Sequence, residues 1–190
     1  MLRKIAQIGH PELRRPARPV PPEAVGSEEI QTLIADLVET MRDANGAGLA
    51  ATQILAPWPV CVLEVADNPR YPYKPRIPLT VLVNPVVTPI GTETFDNYEG
   101  CLSVPNLRGV VRRPARIRLT ALDGAGRPID REVAGITAGI VQHEVDHLFG
   151  TLFVDRVEDP STLTTWDQFH RYREAGFREA VARVVARYGS

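Results

Sequence analysis

Residues that cross-link or ligate are scarce in this sequence. Two cysteines, Cys61 and Cys101, are too few for a disulfide framework, so each thiol is weighed separately as buried, catalytic or metal-bound. No apolar run is long enough to span a bilayer. Met1-Leu2-Arg3-Lys4-Ile5 leads into polar, proline-rich sequence without an apolar segment or small-residue cleavage site. The expected location is therefore cytoplasmic, away from any membrane. Net charge is also small: a formal −1 gives no general electrostatic case for DNA or another polyanion, so any such contact must be local. Internal repeats are absent. Hydrophobic residues at 44% and charged ones at 24% exclude disordered and fibrous classes. At 190 residues, one domain over 1–190 is expected, since each half alone would form a marginal core.

Periodicity supplies most of the elements. Ser27 is a candidate N-cap for a helix with Ile30, Leu33, Ile34, Leu37, Val38 and Met41 at helical spacing, ending near Asn45-Gly46. The small-residue run Gly46-Ala47-Gly48-Leu49-Ala50-Ala51-Thr52-Gln53 follows. It lacks the Lys and Ser/Thr of a phosphate-binding loop. Its alternatives are a tight turn or a place where backbone closely approaches a ligand, with Gln53 offering a donor. β-Branched residues predict strands over Val60–Val65 and Leu79–Val87. Between them Pro69, Pro72, Pro75 and Pro78 suit an extended surface loop. Arg116–Ala121 and Arg127–Val133, around Gly124-Ala125-Gly126, predict a hairpin. Thr151–Val154 is expected to be a short strand, and 165–187 one C-terminal helix with five arginines.

Ile136, Ile140, His143, Glu144 and His147 share helical spacing, which puts both histidines on a core-facing stripe that Gly150 ends. Histidines at i and i+4 can converge on one divalent ion. In this HExxH pattern the ion lowers the pKa of a water toward neutrality, and the adjacent glutamate shuttles its proton. The plainer alternative is two helix histidines with an intervening surface glutamate.

A catalytic site of this kind needs a third protein ligand. The longer protease pattern places Phe153 where a third histidine would stand, and Phe153 cannot ligate. Glu158 and Glu174 carry no distinguishing local context. Cys101 is the better candidate: in Glu99-Gly100-Cys101-Leu102-Ser103 glycine permits close backbone approach and the following amides can face a bound oxygen. Its alternative is an inert buried thiol, the reading kept for Cys61. His10 and His170 are read as surface or structural.

Together, G-A-G-L-A-A-T-Q at 46–53, E-G-C-L-S at 99–103 and Q-H-E-V-D-H-L at 142–148 resemble the three motifs of peptide deformylase, in the same order and with similar separations. The likeness extends through Asn84-Pro85, Pro105, Arg108 and the run Gly150 to Asp155, and weakens at the proline-rich loop and after Asp159. The resemblance implies an α+β fold of antiparallel sheets around a central helix bearing both histidines. It implies removal of the formyl group from the N-terminal methionine of nascent polypeptides, with release of formate. Cys101, His143 and His147 are then the metal ligands and Glu144 the general acid/base. Gln53 and the Leu102 backbone N–H stabilise the oxyanion. Ala47, Gly48 and Gly100 pair with the substrate backbone, and Arg108, Ile136 and Ile140 are further substrate contacts.

Ligand softness favours zinc, whereas the resemblance implies Fe2+ as the physiological ion, with Zn2+, Ni2+ or Co2+ able to substitute. It also implies work at the ribosomal exit, for which the arginine-bearing C-terminal helix could supply phosphate contacts. A solvated amphipathic helix is the alternative. Ala47 and Gly139 depart from the bulkier residues frequent in the family. A wider or differently shaped methionine pocket, with looser selectivity, is therefore expected. Gly139 inside a helix costs about 1 kcal/mol relative to Ala, which points to a packing reason. Two other readings, a different metallopeptidase and a non-catalytic relative, are weakened by Phe153 and by the presence of both Glu144 and Gln53.

Overall fold

A serine cap opens the first helix, α1 (Glu28–Asp43), in the computed structural model, which describes residues 1–66 and 75–189. The Ser27 hydroxyl accepts from the Ile30 N–H at 3.4 Å, satisfying one of the free amides of the first turn. Ile30, Leu33, Leu37 and Met41 form its buried stripe. Asn45, at φ 52°, makes the left-handed stop expected near Asn45-Gly46; asparagine tolerates that conformation better than most residues.

The strands are β1 (Gly48–Ala50), β2 (Val60–Val65), β3 (Ile77–Pro89), β4 (Thr94–Cys101), β5 (Val104–Pro114), β6 (Arg116–Leu122) and β7 (Pro128–Ala134). All pairings are antiparallel, in a sheet ordered β1-β2-β3-β6-β7 and a separate β4-β5 hairpin. The predicted hairpin is β6-β7, and the first predicted strand coincides with β2. Of the proline-rich stretch, Pro69 and Pro72 lie outside the described residues, while Pro78 belongs to β3. β1, β4 and β5 were not expected.

Between sheet and hairpin runs α2 (Gly135–Leu148), buried along nearly its whole length. Its residues Ile136, Ala138, Val141, Val145 and Leu148 join Leu63, Leu82, Ile117 and Leu119 in one core cluster. Each fully buried aliphatic side chain contributes roughly 1.5–3 kcal/mol, so the helix is held by its surroundings rather than by propensity. Antiparallel sheets around a central helix bearing both histidines are the expected α+β arrangement.

Two expectations fail near the C-terminus. Thr151–Val154 is not a strand: Phe153–Arg156 forms a 3-10 turn, because the Asp155 carboxylate accepts from the Leu152 N–H at 2.7 Å and pairs with Arg14. The single C-terminal helix is two, α3 (Trp166–Tyr172) and α4 (Glu174–Tyr188), broken at Arg173. The break lets both segments close on Arg108. Its guanidinium lies 4.5 Å from the Trp166 ring, 3.9 Å from Phe169 and 5.7 Å from Phe177, distances at which a cation is attracted to ring faces. It also donates to the Tyr98 carbonyl at 2.6 Å. Arg108 and Thr164 exchange two backbone hydrogen bonds of 2.8 Å, fixing the start of the C-terminal segment to β5.

Candidate metal centre

β4 and α2 build the centre between them. Strand alternation turns Phe95, Asn97, Glu99 and Cys101 to the buried side of β4, while the 3.6-residue repeat stacks His143 and His147 on successive turns of α2. Cys101 Sγ stands 3.2 Å from His147 Nε2, which is 3.3 Å from His143 Nε2. One ligand atom from each of the three residues lies within 4.8 Å of the others. Ion bonds of about 2.0–2.3 Å in tetrahedral geometry separate such atoms by roughly 3.3–3.6 Å. A thiolate and two imidazoles at these separations fit a divalent ion.

The surrounding groups orient the ligands. Cys101 Sγ accepts from the Ser103 N–H at 3.3 Å and from Gln53 Nε2 at 3.5 Å, donors suited to a sulfur carrying negative charge. Gln53 is itself anchored: its Oε1 accepts from the Ala50 N–H at 2.8 Å and its Nε2 donates to Ser103 Oγ at 3.0 Å. His143 Nδ1 meets Glu99 Oε2 at 2.8 Å, the outer-shell carboxylate that sets the tautomer and ring angle of a metal-ligating histidine. Burial alone would lower the His143 pKa, but hydrogen bonds to Cys101 and Glu99 raise it well above the ordinary histidine value. His147 moves the opposite way, lowered by burial and then by the neighbouring His143.

Arg113 holds Glu99 from behind. Its guanidinium donates to both Glu99 oxygens at 2.7 and 2.8 Å and to Asp146 Oδ2 at 2.7 Å. Arg156 closes the chain on Asp146 at 2.5 Å. Burial would raise the Glu99 carboxyl, yet the charge and hydrogen bonds of Arg113, joined by His143, keep it well below the usual carboxylate range. Arg113 is raised in turn: burial opposes its charge, and Glu99 and Asp146 outweigh that.

Cys101 and His143 border a cleft, which the buried His147 does not line. Its lining includes Ala47, Gly48, Gln53, Gly100, Leu102, Ile140 and Glu144, all expected at the site, together with Asn97, Glu99 and Gly139. Arg108 and Ile136, expected to touch substrate, do not line it. Arg108 is enclosed by the aromatic rings of α3 and α4, and Ile136 is 1% exposed inside the core. Gly48 has a local reason to be glycine: a Cβ there would overlap the Glu144 carboxylate. Cys61 is buried in β2. His10 caps a turn through the Glu12 N–H, and His170 pairs with Glu174. Sequence reasoning missed Glu99, Ser103, Arg113 and Asp146 as functional groups. Asp146 had a signal, since it follows His143 by three residues on the same helix.

Comparison with known proteins places this geometry among relatives. A family model described as polypeptide deformylase matches residues 2–162. Peptide deformylase 1 of Nitrosomonas europaea is 44% identical over 159 residues, 84% of this chain and 89% of the relative. Peptide deformylase 2 of Pseudomonas syringae pv. tomato is 45% identical over 167 residues, 88% of this chain and 93% of the relative. Among solved structures, the class I type b peptide deformylase from Acinetobacter baumannii with Met-Ala-Ser bound superposes with a TM-score of 0.79 at 36% identity, covering 83% of this chain and 99% of the other. The actinonin-bound form of that enzyme gives 0.75 at 32% identity, with the same coverage.

Proposed function

The chain belongs to the peptide deformylase family, and on that premise we propose how its own residues carry out the family reaction, metal-dependent removal of the formyl group from the N-terminal methionine of new polypeptides. The observation that carries the assignment of roles is the meeting of Cys101, His143 and His147 at one point, with Glu144 lining the cleft that Cys101 and His143 border. When bound by those three ligands, a divalent ion supplies a Lewis acid and a water of lowered pKa. Gln53 Nε2, giving up its long 3.5 Å contact with Cys101 Sγ, and the Leu102 backbone N–H donate to the formyl oxygen as it gains negative charge. Glu144 accepts the proton of the attacking water and delivers it to the departing amine. Formate and a free N-terminus result. Backbone at Ala47, Gly48 and Gly100 pairs with the substrate as an added strand.

We read residues 1–190 as one catalytic domain that works in the cytoplasm, where a reducing setting keeps a thiolate ligand available. Among the described residues no helix is long and apolar enough to cross a membrane. Ferrous iron is the ion proposed for the cell, with zinc, nickel or cobalt as substitutes. Ribosome contact would fall to the C-terminal segment, although Arg178, Arg183 and Arg187 pair with Glu174, Glu179 and Glu93, leaving less charge for phosphates.

The test is formate release from a formyl-methionyl peptide by protein prepared anaerobically with each metal in turn; no release with any of them would sink these assignments. An acetyl-methionyl peptide is expected to react roughly one to two decades more slowly, because its extra methyl overpacks the site by about 1–3 kcal/mol. The crowding comes from the Glu144 carboxylate against Gly48. Leu49, next in the chain, is fully buried in the cluster formed with α1. Equal turnover of the two peptides would contradict this account.

A further inference from the structure

β4 has two faces, and only one of them looks toward the metal ligands. Phe95, Asn97, Glu99 and Cys101 turn to that side. The Tyr98 ring, on the other face, meets Phe169 and Phe177 with ring centroids 5.3 and 5.7 Å away. Alternation puts Gly100 on the Tyr98 face, and a Cβ there would stand 3.4 Å from both Trp166 Cζ2 and Arg108 Cγ. The aromatic side of α3 thus reaches a strand residue that lines the cleft and has no side chain of its own. Trp166 is fixed in that place. Its backbone N–H donates to Asn106 Oδ1 at 3.3 Å, its ring centroid lies 4.5 Å from the Arg108 guanidinium, and the His170 ring is 5.4 Å away. The side chain is half-buried, and with Arg108 over its face it offers the benzo edge to Gly100.

We propose that Trp166 is a specificity-determining residue for the second residue of the substrate, favouring N-formyl peptides with a large apolar side chain there. The inference rests on the reaction and the strand pairing assigned above. An added strand alternates as β4 does. Its first side chain enters the cleft on the metal side, toward Ile140 and Gly139. A Cβ at Gly139 would stand 3.1 Å from Phe95 Cζ, so β4 takes up the room of a larger residue, the packing reason for a glycine in mid-helix. The second side chain then points to the Tyr98 face. Neighbouring strands set opposed Cβ positions about 4.5–5.5 Å apart, so a leucine-sized group beside Gly100 closes on the Trp166 edge. Leucine in place of alanine covers apolar surface equally in the ground state and the transition state. The gain therefore belongs in KM and amounts to about three- to tenfold in kcat/KM.

The experiment measures kcat and KM for formyl-Met-Leu-Ser and formyl-Met-Ala-Ser with metal-loaded wild type and Trp166→Ala. Wild type is expected to favour the leucyl peptide about three- to tenfold, through KM, and Trp166→Ala to bring the ratio within about twofold of unity. A wild-type ratio below about two overturns the proposal, as does a ratio that the substitution leaves unchanged. A loss shared equally by both peptides also overturns it, marking Trp166 as a support for Arg108 only. A second measurement needs no change at 166. Trp58, bonded to Glu29 on α1, is the only other tryptophan, so Trp58→Phe isolates the Trp166 emission. That emission is expected to shift more on saturation with Met-Leu-Ser than with Met-Ala-Ser. Equal shifts overturn the proposal even if the alanine variant does not fold. Absence of formate from both formyl peptides would instead sink the assigned reaction.

Discussion

Glu144→Gln is expected to lower kcat for formate release by about 10²–10⁴-fold, the contribution of a positioned general acid/base, in protein whose metal content and Tm match wild type. The side chain is 4% exposed, follows His143 directly on α2, and packs against Gly48 where no other residue would fit. Glutamine keeps the volume and the contact with Gly48 but cannot take a proton from water and return it to an amine. The loss belongs in kcat, because proton transfer occurs in the transition state, and KM stays within a few-fold of wild type. Metal content separates this role from ligation: a variant that loses activity only in proportion to lost metal would make Glu144 a support for the ligands. Turnover within threefold of wild type at full metal occupancy would remove it from the mechanism.

Fold and centre were legible in the sequence to different degrees, for physical reasons. α1, β2, the β6-β7 hairpin and α2 carry clean periodicity because one face of each meets an apolar core. β4 does alternate, but its inward positions after Phe95 are Asn97, Glu99 and Cys101, so a search for alternating hydrophobics passes over it. The strand is polar on its buried side because it builds the centre, the kind of place where local rules are broken for function. Cys101, His143 and His147 could be brought together by spacing and resemblance. Arg113 could not: its partners Glu99 and Asp146 lie 14 and 33 residues away, and nothing nearby marks it as different from Arg112. The break at Arg173 was hidden for a similar reason, since it serves a contact between α3, α4 and Arg108 on distant β5.

Arg112 and Arg113 therefore make a controlled pair for the second large effect. Both sit on β5 and both form two-pronged pairs with a carboxylate, Arg112 with Asp96 and Arg113 with Glu99. Their surroundings differ completely: side-chain exposure is 55% for Arg112 and 3% for Arg113. Arg113→Met leaves Glu99 and Asp146 as buried charges that have lost their shared partner, a change that typically costs about 3–5 kcal/mol. At roughly 2–4 °C per kcal/mol for a chain of this size, Tm is expected to fall by about 6–20 °C. Arg112→Met, which frees an exposed carboxylate to water, should leave Tm near wild type. Arg113→Lys falls between them, since an ammonium keeps the charge but cannot span Glu99 and Asp146 with one planar fork. Metal affinity supplies a second readout. Glu99 reaches His143 at 2.8 Å, so releasing it should weaken metal binding by about 10–100-fold, an effect that lost packing elsewhere in the core would not produce. Equal Tm values for the Arg112 and Arg113 variants would mean that water reaches Glu99 and Asp146 once the guanidinium is gone. Unchanged metal affinity in Arg113→Met would mean that Cys101 and the helix alone fix His143.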